Sequence, residues 1–560
     1  MILVDAWNGL KQIGWFLPGF LLYAAFPPMC ETTDVLFALA PLIWLSRQGD
    51  AKKSAKRWAQ SGFFFWIATL SWMPAIIKNG GPWPLVLLGW VALAVYCTFY
   101  FAAYGYLSAA YWRWADGRFR WFGILIVEPV LWCGLELVRS RFGGGFAWNQ
   151  LGVVPVNAGF GAPAALGGVY LCSAVVFLIN GTIAGIAERV IANIRKRWRK
   201  SFDPIALSPW RTLETIFAFA LIYIIYSSVS ILNSPKQSES SPSPEYLKVA
   251  LVQRNFPCCF KTQEENPIEI YSNLFMKVAL LKPDLVVLPE SAMSEFGHIE
   301  SSRAFIFGTE WALRETGASA VLAGGTRIKE SSPKSSATLY NSAALYGHGR
   351  VSIYDKVHLV PFGEFIPGDK WFPALQKFAP VGSCTPGRPK LLSLKLANRQ
   401  PTLAIPFGVA ICFEDTDSAL MRDYARRGAE FLCFITNDSW FSNSNEALAH
   451  AWQATARAIE TGLPVVRVGN SGVTGTITAT GKASWLCGAD GKVLVDKQGT
   501  MFDRLQTNGL KPLNGVRTPY VRYGDYPLGI AFVLLISGMV MVKYKNYVHE
   551  KRRRMSLQVG

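Results

Sequence analysis

Three short segments carry a carboxylate, an ammonium and a thiol in settings suited to nucleophilic catalysis. Glu290 ends an apolar run in VVLPES, Lys356 follows a strand-like run in YDKVHLVPFGEF, and Cys412 ends an apolar run in GVAICFED. Each alone is ordinary. A strand cysteine is usually a small core hydrophobe, and a lone Glu or Lys beside a strand usually faces water. Together they make a complete chemical set. A free thiol, with a pKa near about 8.5, is mostly protonated at neutral pH, and its thiolate is the nucleophile. A carboxylate can take that proton as general base. An ammonium favours the thiolate and then stabilises an oxyanion. No histidine is required, and the five in the chain are too scattered to argue for a zinc site.

These groups need a frame. Strand-like runs fall at 247–255, 284–290, 319–326, 338–347, 407–414, 430–438 and 463–470, with helical patterns near 265–281, 302–316, 417–428 and 445–461. Strands alternating with helices imply an α/β domain. Several strands are apolar almost throughout, which implies burial on both faces. Glu290 and Cys412 then stand at strand ends, where active-site residues gather in open α/β sheets. The Ser/Pro-rich segment SPKQSESSPSPE at 234–245 has linker composition. No internal repeat is visible. Ten cysteines lack metal-type spacing; Cys258, Cys259, Cys384, Cys412, Cys433 and Cys487 fall in the α/β part, and their pairing stays open.

The remainder has a different composition. The 560 residues are 51% hydrophobic and only 17% charged, with mean hydropathy +0.22. Soluble domains carry about 25% charged residues, so both disorder and a single soluble globule are excluded. A bilayer core needs roughly 20 apolar residues per helix. Such runs lie near 13–29, 33–47, 59–78, 84–110, 121–139, 165–187, 213–232 and 526–543. The division expected is a membrane domain of seven spans at 1–233, a linker at 234–245, a catalytic domain at 246–515, and a last span with a basic tail at 516–560.

The net charge of +18 raises nucleic acid as a partner. The positive clusters lie instead at 47–57, 112–121, 189–211 and 551–554, between apolar runs, while PPMCETTD and KNGGPW carry at most one positive charge. The positive-inside rule accounts for this pattern with both termini cytoplasmic and 233–525 outside. No nucleic-acid partner is expected. The first 30 residues lack a clear cleavage site and are taken as a retained helix. Glu128 and Glu136 lie in the fifth span, where ionisable groups are functional candidates by default. Glu136, three residues before Arg139, suggests an ion pair near the outer surface, with lipid headgroup contact as the alternative. The loop from Gly143–Gly145 to 164 would then lie at the membrane surface near the mouth of the site.

LPES, YDKVHLVPFGEF and ICFED resemble the Glu-Lys-Cys motifs of the nitrilase superfamily. Spans on both sides narrow the resemblance to its membrane branch, the bacterial apolipoprotein N-acyltransferases. ALVQRNFP, YNSAALYG, HLVPFGEFIP, TNDSWF, HAWQATARAIETGLPVVRVGNSGVTG and GFAWNQLG match as well, so the resemblance covers nearly the whole chain. It implies a nitrilase-like αββα sandwich on an eight-helix membrane domain in the bacterial inner membrane, without a cofactor or metal. It implies that Cys412 is acylated, Glu290 accepts protons and Lys356 stabilises thiolate and oxyanion. It also implies a phospholipid donor, a diacylated apolipoprotein acceptor and a monomer. Glu364 and Glu414 match positions that matter for activity: Glu364 to orient Lys356 or bind the amine, Glu414 as a site residue or a solvated helix-start carboxylate. Phe413 replaces the usual Tyr, leaving its backbone N–H as an oxyanion donor. GFAWNQLG lacks the usual Pro before Trp148, which stands either as a site residue or as an interfacial aromatic. Asn437 and Asp438 are expected to satisfy a turn.

Two rivals come from other classes. A membrane-anchored carbon–nitrogen hydrolase would use the same triad on a small amide, but an anchor needs one helix rather than seven. A transporter would show repeat symmetry and broken helices, and an inactive scaffold has no reason to keep three reactive groups.

Overall fold

The computed structural model describes residues 14–115, 120–198, 222, 226, 246–257, 266–293, 297–299, 302–329, 338–347, 349–368, 383–396, 404–507 and 518–559. The apolar half contains α1 (Leu17–Ala25), α2 (Ala40–Ser46), α3 (Ala51–Thr69), α4 (Trp83–Trp114), α5 (Glu128–Arg139) and α6 (Ala164–Trp198). Among the described residues, five helices are long and apolar enough to cross a membrane: Ala51–Asn79, Trp83–Trp114, Arg120–Arg139, Ala164–Ile194 and Tyr526–Met555.

The first two expected spans hold helices shorter than a span. α1 has nine residues and α2 seven, about 14 and 11 Å at 1.5 Å per residue. Pro27 and Pro28 follow α1 and cannot continue it, and a 3-10 turn at Thr32–Leu36 precedes α2. The run at 213–232 lies outside the described residues, apart from Ile222 and Tyr226, so the described residues do not give eight crossings.

Two ends of this half are distinct. At one, Arg47 makes a two-pronged ion pair with Glu128, whose Oε1 also accepts the Trp112 indole N–H at 2.9 Å. Arg113 donates to the Gly49 carbonyl, and Arg120 pairs with Glu188. Two of the basic segments, 47–57 and 112–121, therefore meet at this end, with Glu188 just before the third. At the other end, Asn79 donates to the Ser439 and Trp440 carbonyls of the α/β half, and Asn445 donates to the Pro27 carbonyl.

The α/β half has β1 (Tyr246–Gln253), β2 (Leu285–Val287), β3 (Ala320–Lys329), β4 (Thr338–Gly347), β5 (Arg350–Asp355), β6 (Leu391–Lys395), β7 (Ala404–Ile411), β8 (Phe431–Thr436), β9 (Val465–Gly469), β10 (Gly475–Ile477), β11 (Ala483–Trp485) and β12 (Gly499–Gln506). They form two sheets, ordered β12-β1-β2-β3-β4-β5 and β11-β10-β9-β8-β7-β6. β1-β2-β3 and β7-β8-β9 are parallel, so their C-terminal ends share an edge. Alternation puts Val249, Leu251, Leu285 and Val287 against Phe407, Val409 and Ile411 of the other sheet. The intervening Ala250, Val252 and Val286 pack on α7 (Pro267–Ala279) and α8 (Arg303–Thr316). α9 (Ser418–Arg426) and α10 (Glu446–Thr461) pack with the second sheet, completing an αββα sandwich. α11 (Tyr526–Val559) returns to the apolar half, against α5.

All seven expected strands and all four expected helices of this half are present. β5 is the strand-like run before Lys356; β6, β10, β11 and β12 were not anticipated. β10 and β11 have three residues each, and β6 alternates buried and open positions over only five.

α10 joins the halves. Every residue in it except Leu448 is buried. Gly168, at φ +69°, breaks the start of α6 in a conformation that favours glycine. The next amide, Val169 N–H, donates to Glu460 Oε1 of α10 at 2.8 Å.

Candidate active site

Cys412 is the first residue beyond β7 and opens a 3-10 turn, Cys412–Thr416. Its φ of +54° is rare for a side chain larger than glycine's and costs about 1–3 kcal/mol. The turn is held by Glu414. This carboxylate is fully buried and accepts N–H bonds from Ile411 (2.8 Å), Val357 (2.7 Å) and His358 (3.0 Å), and the Tyr354 hydroxyl at 2.9 Å. Glu414 is thus a brace between the Cys412 turn and the Lys356 loop. The solvated helix-start alternative is overturned: Asp417, not Glu414, caps α9.

Lys356 follows β5 directly and is 1% exposed. Its backbone N–H donates to the Asn341 carbonyl at 2.8 Å, and its Nζ donates to Glu364 Oε1 at 2.9 Å. Asn341 Nδ2 spans the two carboxylates, donating to Glu290 Oε1 at 2.7 Å and Glu364 Oε1 at 2.6 Å. Val360 N–H holds the other Glu364 oxygen at 2.8 Å. Glu364 is therefore in direct contact with Lys356. Glu290 lies just beyond β2 and is buried. Gly324 makes room for it: a Cβ there would lie 2.6 Å from Glu290 Cα.

The charges of Glu290, Lys356 and Glu364 all act on Cys412. Burial, then the Glu290 carboxylate, pushes the Cys412 thiol well above its ordinary range, against Lys356. Burial also raises Glu290, again against Lys356. Burial alone would lower Lys356, but Glu364, Cys412 and Glu290 together hold it above its usual value. At rest the arrangement is thus a protonated thiol, an ammonium and a carboxylate with raised proton affinity. A raised carboxyl keeps its proton to higher pH, so its base form is lost sooner on acidification. A reaction of Cys412 that uses Glu290 as its base is therefore expected to fail on an acid limb above the ordinary Glu value of about 4.3, and Lys356 stays charged past its ordinary value of about 10.4. Quenched-flow labelling across pH reads this directly, and a limb at or below the ordinary value contradicts Glu290 as the base.

The apolar half reaches the Cys412 turn. Phe146, Phe413 and Trp148 stack with interplanar angles of 12–17° and centroids about 6 Å apart. Trp148 is 2% exposed and also contacts Trp72 and His450, so it is not an interfacial aromatic. Arg139 donates to the Phe146 and Trp148 carbonyls, and Glu136 accepts the Leu151 N–H at 2.9 Å. These two residues hold the GFAWNQLG loop separately; the expected Glu136–Arg139 ion pair is not among the ion pairs of the described residues. Glu128, at the far end, is remote from the site.

Asn437 satisfies a turn, as expected, accepting from Ser439 and Asn470. Asp438 does more: it binds the ring of His450. Asn341, Asp415, His450 and Arg467 were not singled out from sequence. The available signal was a polar side chain inside an otherwise apolar element.

The description "Apolipoprotein N-acyltransferase N-terminal domain" matches residues 18–182, and "Carbon-nitrogen hydrolase" matches 248–501. A Geobacter metallireducens protein named apolipoprotein N-acyltransferase is 29% identical over 91% of both chains. A relative of the same name from Methylococcus capsulatus is 26% identical over 97% of this chain and 96% of its own. Among solved structures, a nitrilase-superfamily amidase from Nesterenkonia AN1 is 15% identical, with a TM-score of 0.35, over 51% of this chain and 97% of that one.

Proposed function

Because the chain belongs to the apolipoprotein N-acyltransferase family, we propose that Cys412 carries an acyl chain from a membrane phospholipid to the terminal amine of a diacylglyceryl-cysteine. The chain is an acyltransferase of lipoprotein maturation. In the first half-reaction Glu290 takes the thiol proton as Cys412 Sγ attacks the ester carbonyl. Lys356 and the Phe413 N–H stabilise the oxyanion. Collapse expels the lysophospholipid alkoxide, which recovers the proton from Glu290 and leaves a thioester. In the second half-reaction a neutral amine attacks that thioester and Glu290 accepts its proton. The amide forms, and the released thiolate is reprotonated. A thioester keeps the acyl group activated, so amide formation runs downhill.

The carrying observation is the Cys412 turn. It meets Glu290 and Lys356 electrostatically on one side and the aromatic loop of the apolar half on the other. A hydrolase acting on a small soluble amide has no use for that second contact. The test is to incubate the protein with acyl-labelled phospholipid, map the hydroxylamine-sensitive label, then add a diacylated lipopeptide. The label maps to Cys412, not to nearby Cys384, and moves to the peptide amine. A label that never forms, or that passes only to water, overturns the proposal.

All the reactive groups come from one chain, so a monomer suffices. We assign 1–233 to the membrane domain, 234–245 to the linker, 246–515 to a periplasmic catalytic domain and 516–560 to the last span and cytoplasmic tail. The protein belongs in the bacterial inner membrane. With the exposed Cys487 replaced by Ser, Thr480→Cys reacts with an impermeant thiol reagent in spheroplasts, and Lys53→Cys and Lys551→Cys do not. The reverse pattern inverts the orientation.

A further inference from the structure

Behind the nucleophile lies a buried charge cluster that the two half-reactions above do not use. His450 of α10 has Nε2 3.1 Å from Asp415 Oδ1 and Nδ1 3.0 Å from Asp438 Oδ1, with Glu446 Oε1 3.5 Å from Nδ1. Arg467 of β9 pairs with Asp415, and its Nη2 lies 3.5 Å from Asp438 Oδ2. All five side chains are buried. Gly472 lets Asp438 fit, since a Cβ there would collide with its carboxylate.

Both ring nitrogens of His450 face carboxylates, and only the doubly protonated ring donates to both. Burial by itself lowers the ring; Asp415 and Asp438, against Arg467, push it up to about 10. Burial, then the Asp438 charge, keeps Glu446 protonated well above its ordinary range. The cluster then balances: Asp415 and Asp438 against Arg467 and His450. An unbalanced buried charge would be expensive. Asp438, Glu446 and His450 have the donors of a cation site, with ligand atoms within 4.8 Å of one another, but Arg467 and the ring already supply the positive charge.

His450 reaches Cys412 by two routes. Asp415 lies three residues on in the same turn. The Trp148 ring, 5.5 Å from the imidazole, stacks on Phe413, the next residue. We propose that His450 is a positioning residue for the acyltransfer. Its imidazolium ties the Cys412 turn, the Asp438 turn and the Trp148 loop into one body, and offsets the aspartate charge that opposes thiolate formation. This rests on Cys412 being the acylated nucleophile. The Asp438 charge acts on Cys412 and Glu290, raising both, alongside Lys356 and Glu364, which face the same two groups.

The sign of the effect follows. His450→Gln removes a positive charge, so Glu290 and Cys412 hold their protons to higher pH. The acid limb of Cys412 acylation moves up by about half to one unit, which slows labelling about three- to tenfold at pH values below the limb and less above it. Asp438→Asn removes a negative charge and moves the limb down, and His450→Gln with Asp438→Asn returns it towards the starting position. The measurement is the rate of hydroxylamine-sensitive labelling of the full-length protein in phospholipid vesicles between pH 5 and 9. A uniform loss at every pH, with the limb unmoved, reduces His450 to packing and overturns the proposal. If His450→Gln does not fold, Asp438→Asn decides alone: an unmoved or raised limb overturns the proposal. If the unaltered protein labels at Cys412 and only the limb fails to shift, the fault lies here and not in the nucleophile assignment.

Discussion

Cys412→Ala forms no acyl-enzyme and transfers nothing to a diacylated lipopeptide, yet elutes as a folded protein in detergent. The alanine keeps the φ of +54° at a strain cost similar to that of cysteine, and leaves Glu414 free to bind its backbone donors. Only the sulfur is lost. Cys412→Ser is nearly as inactive. A hydroxyl is far less acidic than a thiol, and the site already holds the Cys412 proton more tightly than usual through burial and Glu290. Mass spectrometry of the labelled peptide checks the first half, and lipopeptide transfer checks the second. Near-normal transfer by the alanine protein removes Cys412 from the mechanism.

Lys356→Met loses both halves, since each passes through an oxyanion and a charge on sulfur. Loss of one oxyanion donor costs about 100- to 1000-fold. The cost here is at least that, because Glu364 and Glu290 lose their shared counter-charge in a buried site. Lys356→Arg does not rescue: the forked guanidinium needs room and partners that a 1% exposed lysine does not have. Glu290→Gln loses about 100- to 10,000-fold as a missing general base. Sequence assigned Glu364 either to Lys356 or to the amine. Its contacts to Lys356 and Asn341 predict that Glu364→Gln slows both halves rather than accumulating thioester. Single-turnover rates for each half separate these outcomes, and a Lys356→Met protein with a normal first half sinks the oxyanion role.

The α/β class was legible because its inner strands are apolar runs alternating with helical patterns, whereas the sandwich came only from the resemblance carried by motifs such as those of Glu290 and Cys412. The short helices of the first two spans were not legible, since counting apolar residues ignores the Pro27–Pro28 stop and the 3-10 turn after it. Asn341 was hidden in a strand that otherwise reads as half-buried. His450 was hidden in an alanine-rich helix, where its meaning depends on partners at 415, 438 and 467. Only the shared edge of parallel strands brings those partners together, and no local pattern encodes that edge. Trp148 was visible as an aromatic, but its neighbour Phe413 is 265 positions away.

α10 has no face to spare. Ala449, Trp452, Ala456 and Ile459 pack into the core of the apolar half, Ala454 and Ala458 into the sandwich, and Ala447 and Ala451 into a third cluster with Val473. Such a helix inherits constraints from both sides at once. Recombination between relatives at the 234–245 segment would join an apolar half from one parent to an α10 shaped for another. Even two active parents would give a mismatched seam, unless the 143–151 loop and α10 travelled together. Exchange of one half alone is therefore expected to lower stability at the seam, and the catalytic half is not expected to behave as an exchangeable module.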